Sequence, residues 1–491
     1  MYLEALELCL KDPQAAARKI VALEERVRSL EEKDRVRETQ LLGLISQVEK
    51  LTLQLAKNSK NSSKPPSTDG FKKPKPNPKS RRKKTDRKSG GQKGHKGSTL
   101  EPSDTPDIIK DHRVTECECC KKSLADHVAD DIIKRQVFDI PRAPVCITEH
   151  RSEEKTCSCG HLNKAGFPEG VNAPVQYGEL IQAVAVYLNV YQMIPYKRTC
   201  EALSDLLGCE MSEGTLHNLL RKYNERVKEP LESIREHIRK ANVAHFDETG
   251  FRVGSTRWWL HVASTRQATY YQAHPKRGSE AMEAIDILPR FEGRAIHDHW
   301  KPYYTYLCNH GLCNAHHLRE LVFVHEEYKQ PWAEEMIECL MKIKLETDHQ
   351  REKDTPLPPD RIREFEELYQ RVLDKGCEEN PIAPTPPDAK KKRGRRAKSK
   401  PRNLLERLDT HRKETLAFMY DLQVPFDNNL GERDIRMTKV KQKISGTCRS
   451  KKGAEIFCNT RSYISTAQKN SIRAFDAVLQ AVEGNAFIPA L

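Results

Sequence analysis

The sequence lacks an apolar run of the roughly 18 residues that a membrane span needs, which argues against a transmembrane protein. It also lacks a basic n-region: M-Y-L-E-A-L-E-L-C-L-K-D-P does not read as a secretory signal. A cytoplasmic location is therefore expected. Without export signals, the 15 unevenly spaced cysteines are expected to be metal ligands or buried thiols rather than disulfides. There is no acidic excess either. Lys and Arg number 84 against 70 Asp and Glu, for a net charge of +14, and this favours a polyanionic partner. At 491 residues the chain has room for several units and an ample core.

Residues 1–57 carry a heptad array. Ile20, Val27, Leu41, Val48 and Leu55 form one apolar series, broken by Asp34; Leu23, Leu30, Leu44 and Leu51 form the other, broken by Arg37. Two apolar positions per heptad predict a coiled coil and a homodimer. Residues 58–100 turn basic and rich in Pro, Ser and Gly, around Arg81, Arg82, Lys83 and Lys84. Such a segment cannot bury a core and reads as a flexible arm with salt-sensitive attraction to DNA. Residues 101–165 carry Cys117-x-x-Cys120 and Cys157-x-Cys159. Two close cysteine pairs on two turns suit one tetrahedral structural Zn²⁺. Strands are expected over Ile132–Val137 and Cys146–Arg151, giving a zinc-ribbon-like domain. Cys119 competes with Cys120, and His161 is an alternative to the second pair. Residues 166–240 read as helices. Lys197–Leu207, ended by Gly208, and Ser212–Val227, capped by Ser212, resemble a helix-turn-helix or an ordinary helical hairpin.

Residues 241–320 alternate strands with one helix. The strand Val243–Phe246 ends at Asp247, and the strand Arg294–His297 ends at Asp298. If these strands are neighbours, the two carboxylates converge and can bind a hard divalent cation through oxygen. Trp300, Tyr303, Tyr304 and Tyr306 follow, suited to core packing or to stacking on unpaired bases. Cys308, His310, Cys313 and His316 are spaced too tightly for four ligands on one ion. Residues 321–420 read as a helical insertion with a basic, Pro-rich linker. Its helices are expected over Leu318–Arg351, Arg361–Lys375 and Asn403–Tyr420. Residues 421–450 form one more helix, started by Asp427 or Asn428 and stopped by Gly446. Leu430, Met437, Val440 and Ile444 are predicted to pack, with Glu432, Arg436, Lys439 and Lys443 on the opposite face. A carboxylate in a row of cations is either a solvated face or an acid placed where a polyanion docks through a divalent cation. Residues 451–491 finish the chain as helix.

Taken together, these motifs resemble a DDE transposase of the insertion sequence 66 family. The resemblance runs in order through N-S-S-K-P-P-S, S-G-G-Q-K-G-H-K-G, the cysteine pairs, H-F-D-E-T-G, I-H-D-H-W, Cys313-x-x-His316 and N-N-L-G-E-R-D-I-R-M-T-K-V-K-Q-K-I-S-G. It covers most of residues 58–465. It implies a multidomain α+β protein whose RNase H-like catalytic core is interrupted by the helical insertion. A coiled coil, a zinc ribbon and a helical DNA-binding region precede that core. It further implies two Mg²⁺ ions on Asp247, Asp298 and Glu432, and strand cleavage and transfer at the ends of a bacterial mobile element. Arg436, Lys439, Lys443 and Arg449 would meet the DNA backbone, with accessory transposition proteins as further partners. The alternatives are a zinc-containing DNA-binding regulator without catalysis, and an RNase H-like nuclease.

Overall fold

A computed structural model describes residues 12–58, 61–62, 102–116, 118–126, 128, 131–137, 145–382 and 398–490. Most of the basic arm, Cys117 and the basic run of the Pro-rich linker lie outside the described residues. Two compact units are distinguished. One comprises residues 1–72, 177–195 and 216–491; the other comprises 73–176 and 196–215.

The first helix, α1 (Pro13–Leu55), starts where Asp12 accepts hydrogen bonds from the backbone N–H groups of Gln14 and Ala15. Its heptad side chains are exposed, Leu44 at 58% and Leu51 at 59%. In the second unit, β1 (Glu154–Thr156) pairs antiparallel with β2 (Leu162–Lys164). These strands differ from the expected ones: 132–137 and 146–151 are irregular. Apolar composition alone does not make a strand without a partner edge and a face to bury. Between β1 and β2 the chain turns tightly, with Cys157 N–H bonded to the His161 carbonyl at 2.8 Å. A bridge between Glu116 and Ser123 closes a second turn, around Cys119 and Cys120.

Helix α2 (Glu179–Val186) runs into a π-helical turn over Tyr187–Tyr191. Helices α3 (Tyr196–Leu207) and α4 (Glu213–Arg226) follow. Gly208 adopts φ +65° at the end of α3, a left-handed conformation that glycine adopts without strain. Ser212 Oγ accepts from Thr215 N–H at 3.0 Å. Helix α5 (Lys228–Arg239) leads into the main sheet.

The sheet contains β3 (Val243–Val253), β4 (Thr256–Ser264), β5 (Thr269–His274), β6 (Arg294–His297) and β7 (Asn309–Leu312), in the order β5-β4-β3-β6-β7. The pairs β3/β4 and β4/β5 are antiparallel, whereas β3/β6 and β6/β7 are parallel. Helix α6 (Ser279–Ile285) lies in the crossover before β6. Strand β3 is longer than expected and does not stop at Asp247. Only Val243 to His245 pair with β6, whereas β4 follows β3 out to Val253. The β3–β4 hairpin therefore runs on past the parallel half of the sheet.

After β7 come α7 (Asn314–Tyr328) and α8 (Pro331–Glu352), where one helix was expected. Lys329 turns left-handed at φ +54°, and Pro331 starts the new helix because it has no N–H to lose there. Helices α9 (Pro359–Glu379), α10 (Lys400–Thr410), α11 (Arg412–Thr415) and α12 (Ala417–Tyr420) complete the insertion. The last three replace the single helix expected over 403–420. The insertion has its own core around Trp332, Leu340, Phe365, Tyr369, Leu405 and Phe418, continuous with Ile296 of β6. Helix α13 (Asn429–Ile444) packs on β3 and β4; α14 (Lys451–Lys469) covers β5, and α15 (Ala474–Val482) packs against α2.

Candidate active site

The parallel register brings the first two acids to the same end of neighbouring strands. His245 pairs with Ile296; Asp247 lies two residues further along β3, and Asp298 just past the end of β6. Side chains alternate along a strand, so Asp247 and Glu248 point to opposite faces. Asp247 shares the face of His245, which meets Asn428 at the start of α13. Glu248 takes the other face. Its carboxylate accepts from the Arg277 guanidinium at 2.6 Å and from the Tyr303 hydroxyl. Asp298 is ordered by the backbone: its Oδ1 accepts from Trp300 N–H at 3.0 Å.

The third acid arrives on α13. Asn428 stands at the N-cap position but does not cap the helix. Its amide instead donates to the Phe246 carbonyl at 2.8 Å, and its Oδ1 lies 2.8 Å from His245 Nδ1. Burial pushes His245 down to about 4, so the ring is neutral at pH 7 and its Nδ1–H can serve as donor. The Asn428 backbone N–H points at Cys313 Sγ, 3.2 Å away. Asn428 thus ties the start of α13 to the strand carrying Asp247 and to the loop before α7. Gly431 permits this approach, since a Cβ there would lie 3.1 Å from Asn428 Oδ1. Glu432 follows in the first helical turn, its N–H bonded to the Asn428 carbonyl.

Helix α13 presents a different face from the predicted one. Gly431, Ile435 and Thr438 are buried, whereas Ile444 is 48% exposed. The packing face is partly polar because a buried ion pair replaces apolar contacts. Asp434 Oδ2 accepts from Lys469 at 2.7 Å, from Ser264 at 2.6 Å and from Thr269 at 3.1 Å. Arg436, Lys439, Lys443 and Arg449 are all exposed. Lys439 Nζ also donates to the Gly250 carbonyl at 2.8 Å.

Electrostatically, Asp247 is held well above the usual carboxylate range. Burial is the first cause; the negative charges of Glu248, Glu432 and Asp298 add to it. Glu432 Oε1 lies 3.7 Å from His316 Nδ1 and 3.6 Å from Arg319. Neither that oxygen nor His316 Nδ1 has a hydrogen-bond partner among the described residues. Among the described residues, Cys313, His316 and Glu432 are the group of three whose ligand atoms close to within 4.8 Å; Asp247, Asp298 and Glu432 do not close that far. Glu432 keeps an orphaned buried oxygen and Asp247 is raised first by burial; carboxylate oxygens are the donor type that suits a hard divalent cation.

The cysteine turns are less complete. Cys119, Cys120, Cys157 and Cys159 are free and exposed, and Cys120, Cys157 and Cys159 do not gather within 4.8 Å of one another. The Cys157 thiol is lowered, first by the backbone N–H of Cys159.

Asn428, His245, Glu248 and Arg277 were missed in the sequence. Asn428 was visible only as a capping residue, because its true partners lie on β3. Arg277 gave no signal at all.

Comparison with protein families places the chain among the transposases. It belongs to the Transposase IS66 family, whose model matches residues 174–456, more than half of its length. A second model, for a family of unknown function (DUF6444), matches residues 10–101. No curated protein matches the chain. Among the described residues, no helix is long and apolar enough to cross a membrane.

Proposed function

We propose that the protein is an Mg²⁺-dependent DDE transposase that binds the ends of a bacterial insertion sequence, cleaves the strand there and joins it to target DNA. The observation that carries this reading is the placement of Asp247 and Asp298 at the same end of neighbouring parallel strands, with Glu432 tethered across from them. The strand order, antiparallel on one side of β3 and parallel on the other, supports an RNase H-like core. Asp247, Asp298 and Glu432 would hold two Mg²⁺ ions, which when bound activate the attacking oxygen and stabilise the leaving one. Asn428 fixes the spacing between Glu432 and β3. Arg436, Lys439, Lys443 and Arg449 offer exposed positive charge to the phosphate backbone.

Three further parts serve the same reaction. Cys117, Cys120, Cys157 and Cys159 hold one structural Zn²⁺, and α3 with α4 contributes to recognition of the element ends. The exposed heptad stripe of α1 pairs with a second copy of the chain.

Glu432→Gln tests the reading. The change keeps the side chain's size and leaves folding and DNA binding nearly intact. Cleavage of labelled element ends in Mg²⁺ should fall by about 10³-fold or more. Wild-type cleavage by this variant removes Glu432 from the site. An assay for strand joining separates a transposase from a nuclease with the same acids.

A further inference from the structure

The four aromatic residues that follow Asp298 differ in burial and in partners. Tyr303 is buried against Glu248, Tyr304 stacks on His411 at 4.3 Å between centroids, and Tyr306 donates to Glu283. Trp300 is half-buried beside Asp298, edge-on to Tyr303 at 6.0 Å between centroids. The Arg277 guanidinium lies over its ring at 4.1 Å and over the ring of Trp259 at 4.9 Å. Arg257 lies over Trp259 at 4.6 Å. The four side chains make an alternating ladder, Arg257–Trp259–Arg277–Trp300. Trp259 pairs with Gly250 and Arg257 with Arg252, so the ladder climbs the part of the β3–β4 hairpin that runs beyond β6, on the Glu248 face. None of its four members is buried.

Each stacked guanidinium fixes the plane of an indole and sets positive charge beside it. Glu248 pairs with Arg277, so that rung offers a flat surface more than a free charge. Arg252 and Arg257 keep exposed positive charge at the outer end of the hairpin. Planar rings with flanking cations suit a base attached to a phosphate backbone; they suit a bare phosphate or an apolar peptide less well. Paired bases in a duplex have their faces covered by their neighbours, whereas an unpaired base has a face to offer.

We propose that this ladder is a stacking subsite for unpaired nucleobases of single-stranded DNA next to the strand break. The inference rests on the transposase reading and deepens it. Trp300 is two residues from Asp298 and donates its backbone N–H to that carboxylate, so the subsite lies next to Asp298, on the sheet face opposite Asp247.

The test uses the full chain without added divalent cation, so that cleavage plays no part. A 12-nucleotide oligo-dT with one central 2-aminopurine is titrated with protein, and a blunt duplex of mixed sequence serves as the second probe. In the wild type the 2-aminopurine fluorescence should be quenched on binding. Trp300→Ala should weaken single-strand binding about tenfold or more, and Trp300→Phe should restore most of it, with duplex binding unchanged in both. Equal single-strand affinity for Trp300→Ala and the wild type, or an unquenched probe bound to the wild type, overturns the stacking subsite while leaving the transposase reading intact. If Trp300→Ala loses duplex binding as well, the variant is misfolded and quenching in the wild type decides. A wild type that binds neither probe overturns both.

Discussion

Apolar residues meet opposite fates in the two units. In the sheet, Ala244, Leu260 and Ile296 are completely buried, and the strands that carry them hold their acids in fixed register. In the cysteine-bearing unit, Ile133 is 82% exposed, Val137 90% and Ile147 88%. The first region is stabilised by burial, at about 25 cal/mol per Å² of apolar surface removed from water. The second has too little burial to order itself that way, and small regions of that kind fold on a metal or a disulfide framework. One region is ordered by its core; the other leaves its apolar side chains in water.

Removing the proposed zinc sharpens that contrast most. A strong chelator should leave residues 102–176 open to proteolysis while the sheet and its helices remain resistant, as read by limited digestion and metal analysis. Equal resistance with and without the chelator would show that the cysteine unit folds unaided.

Asn428→Ala attacks the other side of the comparison. It strips partners from His245 and the Phe246 carbonyl and should cost about 2–3 kcal/mol in chemical denaturation. Because Glu432 then loses its tie to β3, cleavage should fall by about 100-fold. A loss of stability with unchanged cleavage would make Asn428 purely structural.

The raised Asp247 carboxyl gives a pH signature. Its folded value lies above the unfolded one, so its ionised form is the disfavoured one in the metal-free protein. The metal-free fold therefore gains from protonation as pH falls. A divalent cation needs the carboxylate, so its binding expels the proton. Below the raised pKa, Mg²⁺ affinity should weaken by about tenfold per pH unit. Thermal shifts on Mg²⁺ addition, measured between pH 5 and 8, should grow with pH. A shift that does not change with pH would mean that Asp247 is already ionised.

The smallest stability effect belongs to α1, which has neither a core nor a metal of its own. Leu44→Asp with Leu51→Asp should change sheet-unit stability by under about 0.5 kcal/mol, since both side chains are exposed, yet yield monomers in sedimentation. Sedimentation like the wild type would assign the oligomer to another surface.

Asp247 and Asp298 could be read from the sequence because each closes a short apolar run before the chain changes character. The adjacency of their strands could not, since it depends on the crossover through α6. The position of Glu432 was legible from its cap and its cations, but the packing face of α13 was not. Periodicity assumes that apolar side chains point inward, whereas here Asp434 and Thr438 do so, compensated by Lys469 on another helix. The strands of the cysteine region were misplaced for the same kind of reason. Ile132, Ile133 and Val137 look like a strand but have no sheet to join. The break between α7 and α8 was signalled by Pro331, which the long helical pattern around it masked.

The helical insertion also sets when the site can form. β3 and β6 can pair once β7 has been synthesised, but Asn428 and Glu432 come only after the whole of α7 to α12. The Asp434 anchor waits longer still, until Lys469 emerges. Loop closure over so long a separation slows assembly, and an insertion with its own core shortens the effective loop once that core has formed. Fragments that end before residue 429 would retain two of the three acids without the third. On the proposed reading, a chain terminated before residue 429 is therefore unable to cut, however well its earlier parts fold.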